Sequence, residues 1–334
     1  MRVAKHWRAT GDGEITCELC PHGCVLGEGA TGRCKVRTVR GGELFAAGYG
    51  LVSSAAMDPI EKKPLYHFHP GSAIFSIGGW GCNFACPFCQ NWTISQQLPA
   101  ERGTHSPDKI VAKARSSDSV GIAYTYNEPL VGFEFVLDCA ERAASAGLVN
   151  VLVTNGYIRP GPAAELLPFV DALNIDIKSI DESFYREQCR AKLGPVLDFA
   201  VQARAAGSHL EVTNLVIPGL NDTPSTVEKL AAWVSGNLGK GTPLHLSAYR
   251  PQYKMKTPPT TTRMLEEALK ACRQHLSYVY LGNVAGSMGR DTRCASCGAT
   301  LVERRGYATR VVGLDGGSCA ACGEAVPGVF QPAR

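Results

Sequence analysis

Strand-like and helix-like segments alternate through the middle of the chain, from residue 51 to residue 288. Apolar runs such as 74–77 and 150–154 have the length and composition of buried strands. Longer segments between these runs predict helices, and Ser106-Pro107 has the order of an N-cap followed by proline at the first helical position. This alternation is typical of βα units that form a parallel sheet.

The pattern predicts an α/β fold with six or seven βα units, in the form of an open or partial (β/α)6-type barrel. The predicted strands cover residues 74–77, 120–126, 150–154, 172–178, 209–217, 244–249 and 278–281. The predicted helices cover residues 107–115, 130–146, 163–170, 195–206, 224–238 and 261–275. In such barrels the active site forms at the carboxyl ends of the strands, so the residues just past each strand are the first functional candidates.

Polar residues occur where several of the predicted strands end. They are Asn127 and Glu128 after the second strand, Thr154 and Asn155 at the end of the third, and Asp176 and Lys178 at the end of the fourth. Each motif alone is a weak signal, because such residues are common in turns and because Asp176 and Lys178 can form a structural ion pair. Their common position beside a group of cysteines favours a functional site.

Three cysteines follow the first predicted strand, in the spacing Cys82-x3-Cys86-x2-Cys89. A [4Fe–4S] cluster is normally held by four cysteines, one for each iron, so three ligands leave one iron free to bind another molecule. The alternatives are three buried core thiols or a zinc knuckle, although zinc sites prefer two C-x2-C pairs. The spacing therefore predicts an iron–sulfur cluster with an open iron.

This cysteine motif, with Phe88 beside its last member, resembles the signature of the radical S-adenosylmethionine (SAM) superfamily. Residues 58–283 resemble the pyruvate formate-lyase activating enzyme group of that superfamily. The whole chain, including both cysteine-rich ends, resembles the uncharacterised branch called the AmmeMemoRadiSam system radical SAM enzyme. The resemblance implies a [4Fe–4S] cluster whose open iron chelates SAM. It also implies reductive cleavage of SAM to methionine and a 5′-deoxyadenosyl radical, which removes hydrogen from an unidentified substrate.

By this resemblance Cys82, Cys86 and Cys89 ligate the cluster. The residues implied in SAM binding are Phe88, Asn127, Glu128, Thr154, Asn155, Asp176 and Lys178. Among these, Phe88 is expected against the adenine, and Asn127 with Glu128 near the SAM amino group. Two positions depart from the activating enzymes, which have Asp where this chain has Val153 and His where it has Arg250.

The N-terminal segment, residues 1–50, carries four cysteines: Cys17, Cys20, Cys24 and Cys34. So short and irregular a segment has few apolar residues for a core, and we expect it to need a metal to become ordered. Zinc and an iron–sulfur cluster both accept four cysteines, and the spacing does not decide between them. The alternative is a reduced, Cys-rich loop without a metal. His22 could replace one ligand, but we expect it to be an exposed loop residue.

The C-terminal segment, residues 289–334, carries two C-x2-C-G knuckles, formed by Cys294, Cys297, Cys319 and Cys322. These predict a zinc-ribbon-like module, with rubredoxin-like iron as the competing interpretation. The predicted organisation is an N-terminal Cys-rich metal-binding segment (1–50), a radical SAM partial barrel (51–288) and the zinc-ribbon-like module (289–334).

Composition and charge restrict the function classes further. The chain has 334 residues, 19% of them charged, a net charge of +4 and 14 cysteines. The charge is mild and there is no run of Lys and Arg, so we see no signal for nucleic-acid binding. No apolar run approaches the roughly 18 residues that cross a bilayer. Because the N-terminus also lacks the apolar region of a signal peptide, we expect a cytoplasmic protein with reduced cysteines.

Two function classes stay open. The first is a radical SAM enzyme, and its resemblance implies an electron donor such as flavodoxin or ferredoxin and suggests Memo-type and AMMECR-type partner proteins. A glycyl-radical-enzyme activating enzyme is the alternative within this class. The second class is a non-enzymatic metal-bearing module that transfers electrons or assembles a complex. Such a module needs neither an open iron nor SAM contacts around it, so these contacts separate the two classes.

Overall fold

The computed structural model describes residues 2–97, 103–284 and 288–331. An eight-stranded sheet forms its centre, and small antiparallel sheets precede and follow it in the chain. The last residues of the predicted C-terminal module, 332–334, lie outside the described residues, as do residues 285–287 just before the predicted boundary between residues 288 and 289.

Six short strands form two antiparallel sheets at the start of the chain. They are β1 (Arg2–Val3), β2 (Trp7–Ala9), β3 (Ile15–Cys17), β4 (Val25–Leu26), β5 (Arg37–Arg40) and β6 (Glu43–Ala46). The sequence predicts an irregular segment with little core of its own, but Ile15, Val39 and Leu44 are buried in the main hydrophobic core. A buried ion pair, with 2.9 Å between Arg37 Nη1 and Glu134 Oε1, joins the segment to the central fold. The N-terminal segment therefore shares the core of the larger unit.

The central sheet contains the strands β7 (Ser54–Pro59), β8 (Ala73–Gly78), β9 (Gly121–Tyr124), β10 (Val149–Thr154), β11 (Ala172–Asp176), β12 (His209–Val216), β13 (Leu244–Ala248) and β14 (Val279–Gly282). Their order in space is their order in the chain, from β7 at one edge to β14 at the other. Strand β7 is antiparallel to β8, and each later strand runs parallel to the one before it. The predicted α/β fold with a central parallel sheet is confirmed. The pattern does not predict β7, because three consecutive residues of this edge strand are exposed.

Helices connect the successive parallel strands. They are α1 (Trp92–Ser95), α2 (Pro107–Ser116), α3 (Phe133–Ser145), α4 (Pro160–Leu166), α5 (Glu182–Phe184), α6 (Gly194–Ala205), α7 (Pro224–Leu238) and α8 (Thr262–Cys272). The hydroxyl of Ser106 accepts a hydrogen bond from the backbone N–H of Lys109, so α2 has the predicted N-cap. Helix α3 begins later than predicted, because Pro129–Gly132 forms a 3₁₀ turn before it.

Large apolar side chains fill the space between the sheet and its helices. Leu152, Leu173, Val212 and Leu246 lie on four neighbouring strands and have no exposed surface. Burying one such side chain stabilises a fold by about 1.5–3 kcal/mol. This packing fixes the carboxyl ends of the strands relative to one another. Among the described residues, no helix combines the length and the apolar character needed to span a membrane.

The C-terminal segment contains β15 (Thr292–Arg293), β16 (Thr300–Arg305), β17 (Ala308–Val311), β18 (Leu314–Asp315) and β19 (Ser318–Cys319). It packs on the central fold through Arg304, whose guanidinium lies 4.1 Å from the centre of the Tyr66 ring and donates a 2.7 Å hydrogen bond to the Tyr66 carbonyl. A guanidinium stacked on an aromatic ring in this way is attracted by the ring's negative face.

A buried polar cluster around Glu211 supports the same interface. Glu211 Oε2 lies 2.6 Å from His245 Nε2, and Oε1 accepts a 2.7 Å hydrogen bond from the backbone N–H of His67. Burial alone would raise the pKa of Glu211, but hydrogen bonds from His209 and His245 hold it well below its usual value. The ring of His67 in turn lies 2.7 Å from the carbonyl oxygen of Pro327 in the C-terminal segment. The buried charge is thus compensated, as burial requires.

Candidate active site

A cavity of about 550 Å³ lies at the carboxyl ends of the parallel strands. All the residues that the sequence predicts for the cluster and for SAM line it. They are Cys82, Cys86, Cys89, Phe88, Asn127, Glu128, Thr154, Asn155, Asp176 and Lys178. These residues lie at or beyond the ends of β8, β9, β10 and β11, and the parallel order of these strands brings them together. The volume is typical of a pocket for a small molecule.

Cys82, Cys86 and Cys89, here called the cluster cysteines, lie in the loop after β8. Burial raises the pKa of the Cys82 thiol well above its usual value, so its thiolate needs compensating partners. Two donors face its sulfur: the backbone N–H of Phe84, with 3.3 Å between nitrogen and sulfur, and Nδ2 of Asn155, at 3.7 Å. Three soft thiol ligands on one cavity wall, with N–H donors beside them, fit an iron–sulfur cluster.

The side chain of Asn127 holds the start of this loop. Its Oδ1 accepts a 2.8 Å hydrogen bond from the backbone N–H of Gly79, and its Nδ2 donates a 3.0 Å bond to the carbonyl of Gly81. Gly81 has a φ of +82°, a conformation that favours glycine. Asn127 therefore positions the cluster cysteines as well as lining the cavity.

The carboxylate of Glu128 is buried at the cavity wall. Oε1 accepts hydrogen bonds from the Thr154 hydroxyl at 2.6 Å and the Leu130 N–H at 3.0 Å, and Oε2 accepts one from the Asn155 N–H at 2.8 Å. Burial raises the pKa of Glu128 to about 7, although these hydrogen bonds oppose the rise. The sequence predicts these residues as separate motifs, whereas in the structure Thr154 and Asn155 fix the carboxylate of Glu128.

Phe88 lies between two cluster cysteines and is almost fully buried. Its ring centre is 6.1 Å from that of Phe184, which precedes a single π-helical turn at Tyr185–Cys189. The cavity lining therefore combines aromatic side chains, Phe84 and Phe88, with the carboxylates of Glu128 and Asp176.

A cationic group at the cavity is missed by the sequence reasoning. Lys62 and Lys63 line the cavity, and their Nζ atoms lie 2.8 Å and 2.6 Å from the two carboxylate oxygens of Asp58. The hydroxyl of Tyr126 also donates to Asp58. Burial would raise the pKa of Asp58, but these three partners hold it well below its usual value. The Asp58-x3-Lys62-Lys63 sequence carries the signal, yet only the fold shows that it faces the cavity.

Tyr307, in the turn between β16 and β17, also lines the cavity. The residue is 57% exposed and belongs to the segment that carries the C-terminal knuckles. The C-terminal segment thus forms part of the cavity wall, which no sequence motif indicates.

Cys17, Cys20, Cys24 and Cys34, here called the N-terminal cysteines, lie close together. Cys17 and Cys34 are buried, and Cys20 and Cys24 are partly exposed. Burial raises the pKa of Cys20 to about 12, and the negative charges of the other three thiolates add to the rise. His22 is predicted as an exposed loop residue, but it is half-buried, and its ring Nε2 lies 2.7 Å from the carbonyl oxygen of Asn83.

Cys294, Cys297, Cys319 and Cys322, here called the C-terminal cysteines, have sulfur atoms that all lie within 4.8 Å of one another. The backbone N–H of Gly298 donates to the carbonyl of Cys294, and that of Gly323 to the carbonyl of Cys319. The φ angles of Gly298 and Gly323 are +76° and +78°, as the predicted tight turns require. The four thiols are arranged for a single tetrahedral metal ion.

The chain is similar to several known proteins. The Radical SAM superfamily profile matches residues 77–234, which include the cluster cysteines. The chain is 43% identical over 332 residues to the uncharacterised protein MJ0808 of Methanocaldococcus jannaschii, and the match covers 98% of this chain and 99% of that protein. It is 26% identical over 159 residues to the pyruvate formate-lyase-activating enzyme of Clostridium pasteurianum, covering 45% of this chain and 65% of that enzyme. A radical SAM methyltransferase structure from Sphaerobacter thermophilus matches 73% of this chain and 72% of its own, with 16% identity and a TM-score of 0.49.

The superfamily match implies a [4Fe–4S] cluster and SAM, and the cavity contains the ligands and polar groups that suit both. The similarity to MJ0808 extends over nearly the whole of both proteins. The chain therefore belongs to the family of MJ0808 and is a radical SAM enzyme.

Proposed function

We propose that this enzyme cleaves SAM reductively to methionine and a 5′-deoxyadenosyl radical, which then removes a hydrogen atom from an unidentified substrate. One observation carries the proposal: the cluster cysteines and the seven residues predicted for SAM line the same cavity. When bound to the cluster cysteines, the [4Fe–4S] cluster supplies an open iron for SAM and the electron that breaks its C–S bond.

The residues of the chain bind and orient SAM in this proposal. Phe88 gives the adenine an apolar surface, and the carboxylate of Glu128 attracts the SAM ammonium group. Thr154 and Asn155 hold that carboxylate in place, since both donate hydrogen bonds to it. Asp176 and Lys178 offer one negative and one positive group to the polar parts of SAM. A charged residue pair and a fixed carboxylate suit a zwitterion better than an apolar ligand.

The rest of the chain has supporting roles. We propose three parts, namely an N-terminal Cys-rich metal-binding segment (1–50), a radical SAM partial barrel of the (β/α)6 type (51–288) and a zinc-ribbon-like module (289–334). Zinc at the C-terminal cysteines fits the mutual distance of their sulfur atoms. The same proposal includes membership in the AmmeMemoRadiSam branch and a cytoplasmic location. It also includes an electron donor such as flavodoxin or ferredoxin, and Memo-type and AMMECR-type partners.

We do not adopt the two alternative functions. The similarity to an activating enzyme covers 45% of this chain, so it supports the shared radical chemistry and not activation of a glycyl-radical enzyme. A module that only transfers electrons does not require the groups that surround these cysteines, namely the buried carboxylate of Glu128, the ion pair of Asp176 and Lys178, and the aromatic ring of Phe88.

The test is SAM turnover by anaerobically reconstituted, dithionite-reduced protein, with methionine and 5′-deoxyadenosine quantified. We expect both products from the wild type and neither from Cys86→Ala, because Cys86 supplies a cluster ligand. Cys272→Ala is the matched control, since Cys272 is a buried thiol on α8 that donates to the carbonyl of Val227 away from the cavity. A wild-type protein with a full cluster and bound SAM that forms no 5′-deoxyadenosine with any candidate partner contradicts the proposal.

A further inference from the structure

Asp58, Lys62 and Lys63, here called the lysine group, form a cationic part of the cavity that the proposed SAM contacts do not use. Lys62 and Lys63 line the cavity, whereas Asp58 is not among the described residues that do so. The carboxylate of Asp58 pairs with both ammonium groups and compensates one of their two charges. The lysine group therefore presents uncompensated positive charge to the cavity.

The lysine group lies at the opposite end of β8 from the cluster cysteines. Asp58 pairs with Ile74 near the start of β8, whereas the cluster cysteines follow Gly78 at its end. A strand rises about 3.3 Å per residue, so these two positions are separated by about 13 Å along β8. The residues predicted to bind SAM lie at or beyond the strand ends. The lysine group is thus available for a second molecule in the same cavity.

Both ammonium groups have N–H donors to spare. An ammonium group carries three N–H donors and no acceptor. Within the part of the chain that the structure describes, the side chains of Lys62 and Lys63 each donate one hydrogen bond, to Oδ1 and Oδ2 of Asp58. The remaining donors can bind the oxygen atoms of a ligand, and charge-assisted hydrogen bonds of this kind are the strong ones.

The burial of Lys63 is better explained by binding than by stability. Its side chain is 1% exposed, and burial lowers the pKa of Lys63, although the hydrogen bond with Asp58 opposes this effect. A buried ion pair is weak evidence for stability, because removing both charges from water offsets their attraction. An anion bound beside Lys63 would favour its charged form.

Tyr126 connects the lysine group to the cluster loop in a strained conformation. Its φ of +70° is rare for a bulky residue, and such conformations cluster at active sites and ligand clamps. The hydroxyl of Tyr126 donates to Asp58, and its carbonyl accepts a 2.7 Å hydrogen bond from Nδ2 of Asn91. Gly78 leaves room for the ring, since a Cβ there would lie 3.0 Å from Cδ2 of Tyr126. Tyr126 thus fixes the carboxylate that holds both lysines.

Thr213 on β12 offers a further polar contact. It lines the cavity and is 8% exposed, and its hydroxyl oxygen is buried without a hydrogen-bond partner among the described residues. Leaving a buried polar group unpaired is unfavourable, and a bound molecule would supply the partner. Thr213 pairs in register with Asp176, so this contact lies beside the residues predicted for SAM.

We propose that the substrate is a small anionic molecule whose phosphate or carboxylate group is bound by the ammonium groups of Lys62 and Lys63. The rest of the molecule extends toward the cluster cysteines, where its C–H bond breaks and the hydrogen atom passes to the 5′-deoxyadenosyl radical. The two lysines bind the substrate and take no part in the hydrogen transfer. This inference rests on the proposed function, because it names the substrate class for the same cavity.

Binding of anion probes to the cluster-loaded, oxidised full chain with SAM bound tests the lysine group without turnover. Inorganic phosphate and succinate are titrated calorimetrically into the wild type, Lys62→Met and Lys62→Arg. Lys62 is 47% exposed, so its replacement leaves the buried Lys63 to balance Asp58. We expect binding of the preferred probe to weaken at least about tenfold in Lys62→Met and to stay near the wild-type value in Lys62→Arg. The preferred probe identifies the anionic group as phosphate or carboxylate.

Lys229→Met, at an exposed lysine on α7, is the matched control and should bind both probes like the wild type. Equal probe binding by the wild type and Lys62→Met overturns the proposal, as does a wild type that binds neither probe.

SAM affinity distinguishes a failure of this inference from a failure of the proposed function. Lys62→Met should bind SAM like the wild type. A weaker SAM affinity in this variant, or competition between SAM and the probe, would mean that the lysine group binds SAM itself and overturns the proposal. A wild type that binds the probe through Lys62 but forms no 5′-deoxyadenosine contradicts the radical chemistry and leaves the anion site standing.

A crystal of the cluster-loaded wild type soaked in selenate provides a test that needs no variant. Selenate is a tetrahedral oxyanion whose selenium atom is located by its anomalous scattering. We expect a selenium peak close enough for the selenate oxygens to accept hydrogen bonds from Nζ of Lys62 and Lys63. A crystal with no selenium at the lysine group overturns the proposal even if every variant misfolds.

Discussion

The ammonium nitrogen of Lys178 lies 2.8 Å from Oδ2 of Asp176 at the carboxyl end of β11. Burial would lower the pKa of Lys178, but the charges of Asp176 and of the Cys86 thiolate raise it above its usual value, so the Lys178 ammonium group stays charged. Both side chains keep some exposure and both line the cavity. A partly exposed pair of this kind contributes roughly 0–1 kcal/mol to stability. Its position beside the cluster cysteines therefore favours a role in binding.

Asp176→Asn and Lys178→Met should weaken SAM binding more than they weaken the fold. We expect the free energy of unfolding to change by less than about 1 kcal/mol, as for other partly exposed pairs. The SAM dissociation constant should rise at least about tenfold, which corresponds to about 1.4 kcal/mol. Titration of the cluster-loaded protein with SAM and denaturant unfolding measure the two effects separately.

Glu267→Gln is the matched control, because it breaks the exposed ion pair between Arg263 and Glu267 on α8. It should leave SAM affinity unchanged. If Asp176→Asn or Lys178→Met destabilises the protein by several kcal/mol and binds SAM normally, the pair is structural.

Asn127→Ala should impair the cluster loop. Its amide forms hydrogen bonds with the N–H of Gly79 and with the carbonyl of Gly81. Alanine removes the partner of the Gly79 N–H and leaves the Gly81 carbonyl with the 3.4 Å hydrogen bond from the Glu128 N–H. We expect a loss of about 1–3 kcal/mol in the free energy of unfolding, as for other unsatisfied buried groups. Iron content at the cluster cysteines should fall as well, measured in a background with the N-terminal cysteines replaced.

Asn237→Ala provides the comparison, since the exposed side-chain amide of Asn237 donates a hydrogen bond within α7 to the carbonyl of Trp233. It should change neither iron content nor stability. Full iron loading and wild-type stability in Asn127→Ala would show that the loop keeps its shape without this amide.

Local signals explain what could be predicted from the sequence. Helix α7 covers Pro224–Leu238 as predicted, because Thr223 caps it, Pro224 occupies its first turn and Gly239 follows it. The parallel strands could be predicted because each is a short apolar run between turn residues. The segments that follow parallel strands meet at one end of a barrel, so the strand pattern also predicts the common position of the cluster cysteines and Glu128.

Contacts between remote segments explain what could not be predicted. Lys63 follows β7, whose last residue, Pro59, pairs with Ala73 at the start of β8, and yet its side chain lines the cavity. Tyr307 lines the same cavity, although it lies more than 200 residues after Lys63 in the chain. His22 is half-buried because its ring meets the carbonyl of Asn83. A local pattern contains no information on such pairings.

Removing the metal from the C-terminal cysteines should unfold the C-terminal segment and leave SAM binding intact. A structural zinc site contributes roughly 10–16 kcal/mol of binding energy at neutral pH, which is comparable to the whole stability of a domain. In Cys297→Ser/Cys322→Ser we therefore expect loss of one zinc ion and rapid amide hydrogen exchange in β16 and β17. SAM affinity should change little, because the residues predicted to bind SAM lie at or beyond the ends of β8–β11, although Tyr307 of this segment also lines the cavity.

Ser296→Ala is the control for this pair of substitutions, since the exposed Ser296 lies between two of the cysteines. It should retain both zinc and slow exchange. Slow exchange in β16 and β17 after the zinc has been lost would mean that packing on Tyr66 and Tyr280 alone holds the segment.

Acid should loosen the contact between the central fold and the C-terminal segment at His67. Its Nδ1 donates to the carbonyl of Pro327 at 2.7 Å, and its Nε2 lies 2.6 Å from the Tyr280 hydroxyl. Burial lowers the pKa of His67 to about 4, despite the nearby negative charge of Glu211. Between about pH 6.5 and pH 4 the unfolded chain binds a proton at this residue that the folded chain does not.

Stability should therefore fall as the pH decreases through this range, by about 3 kcal/mol in total from this residue. Because acid also protonates thiolates and other carboxylates, the informative quantity is the difference in unfolding free energy between the wild type and His67→Gln. We expect that difference to shrink between pH 7 and pH 4.5, since the variant cannot titrate there. His105→Gln, at an exposed histidine, should keep the pH dependence of the wild type. Parallel curves for the wild type and His67→Gln would mean that the buried ring accepts its proton without loss of the contact.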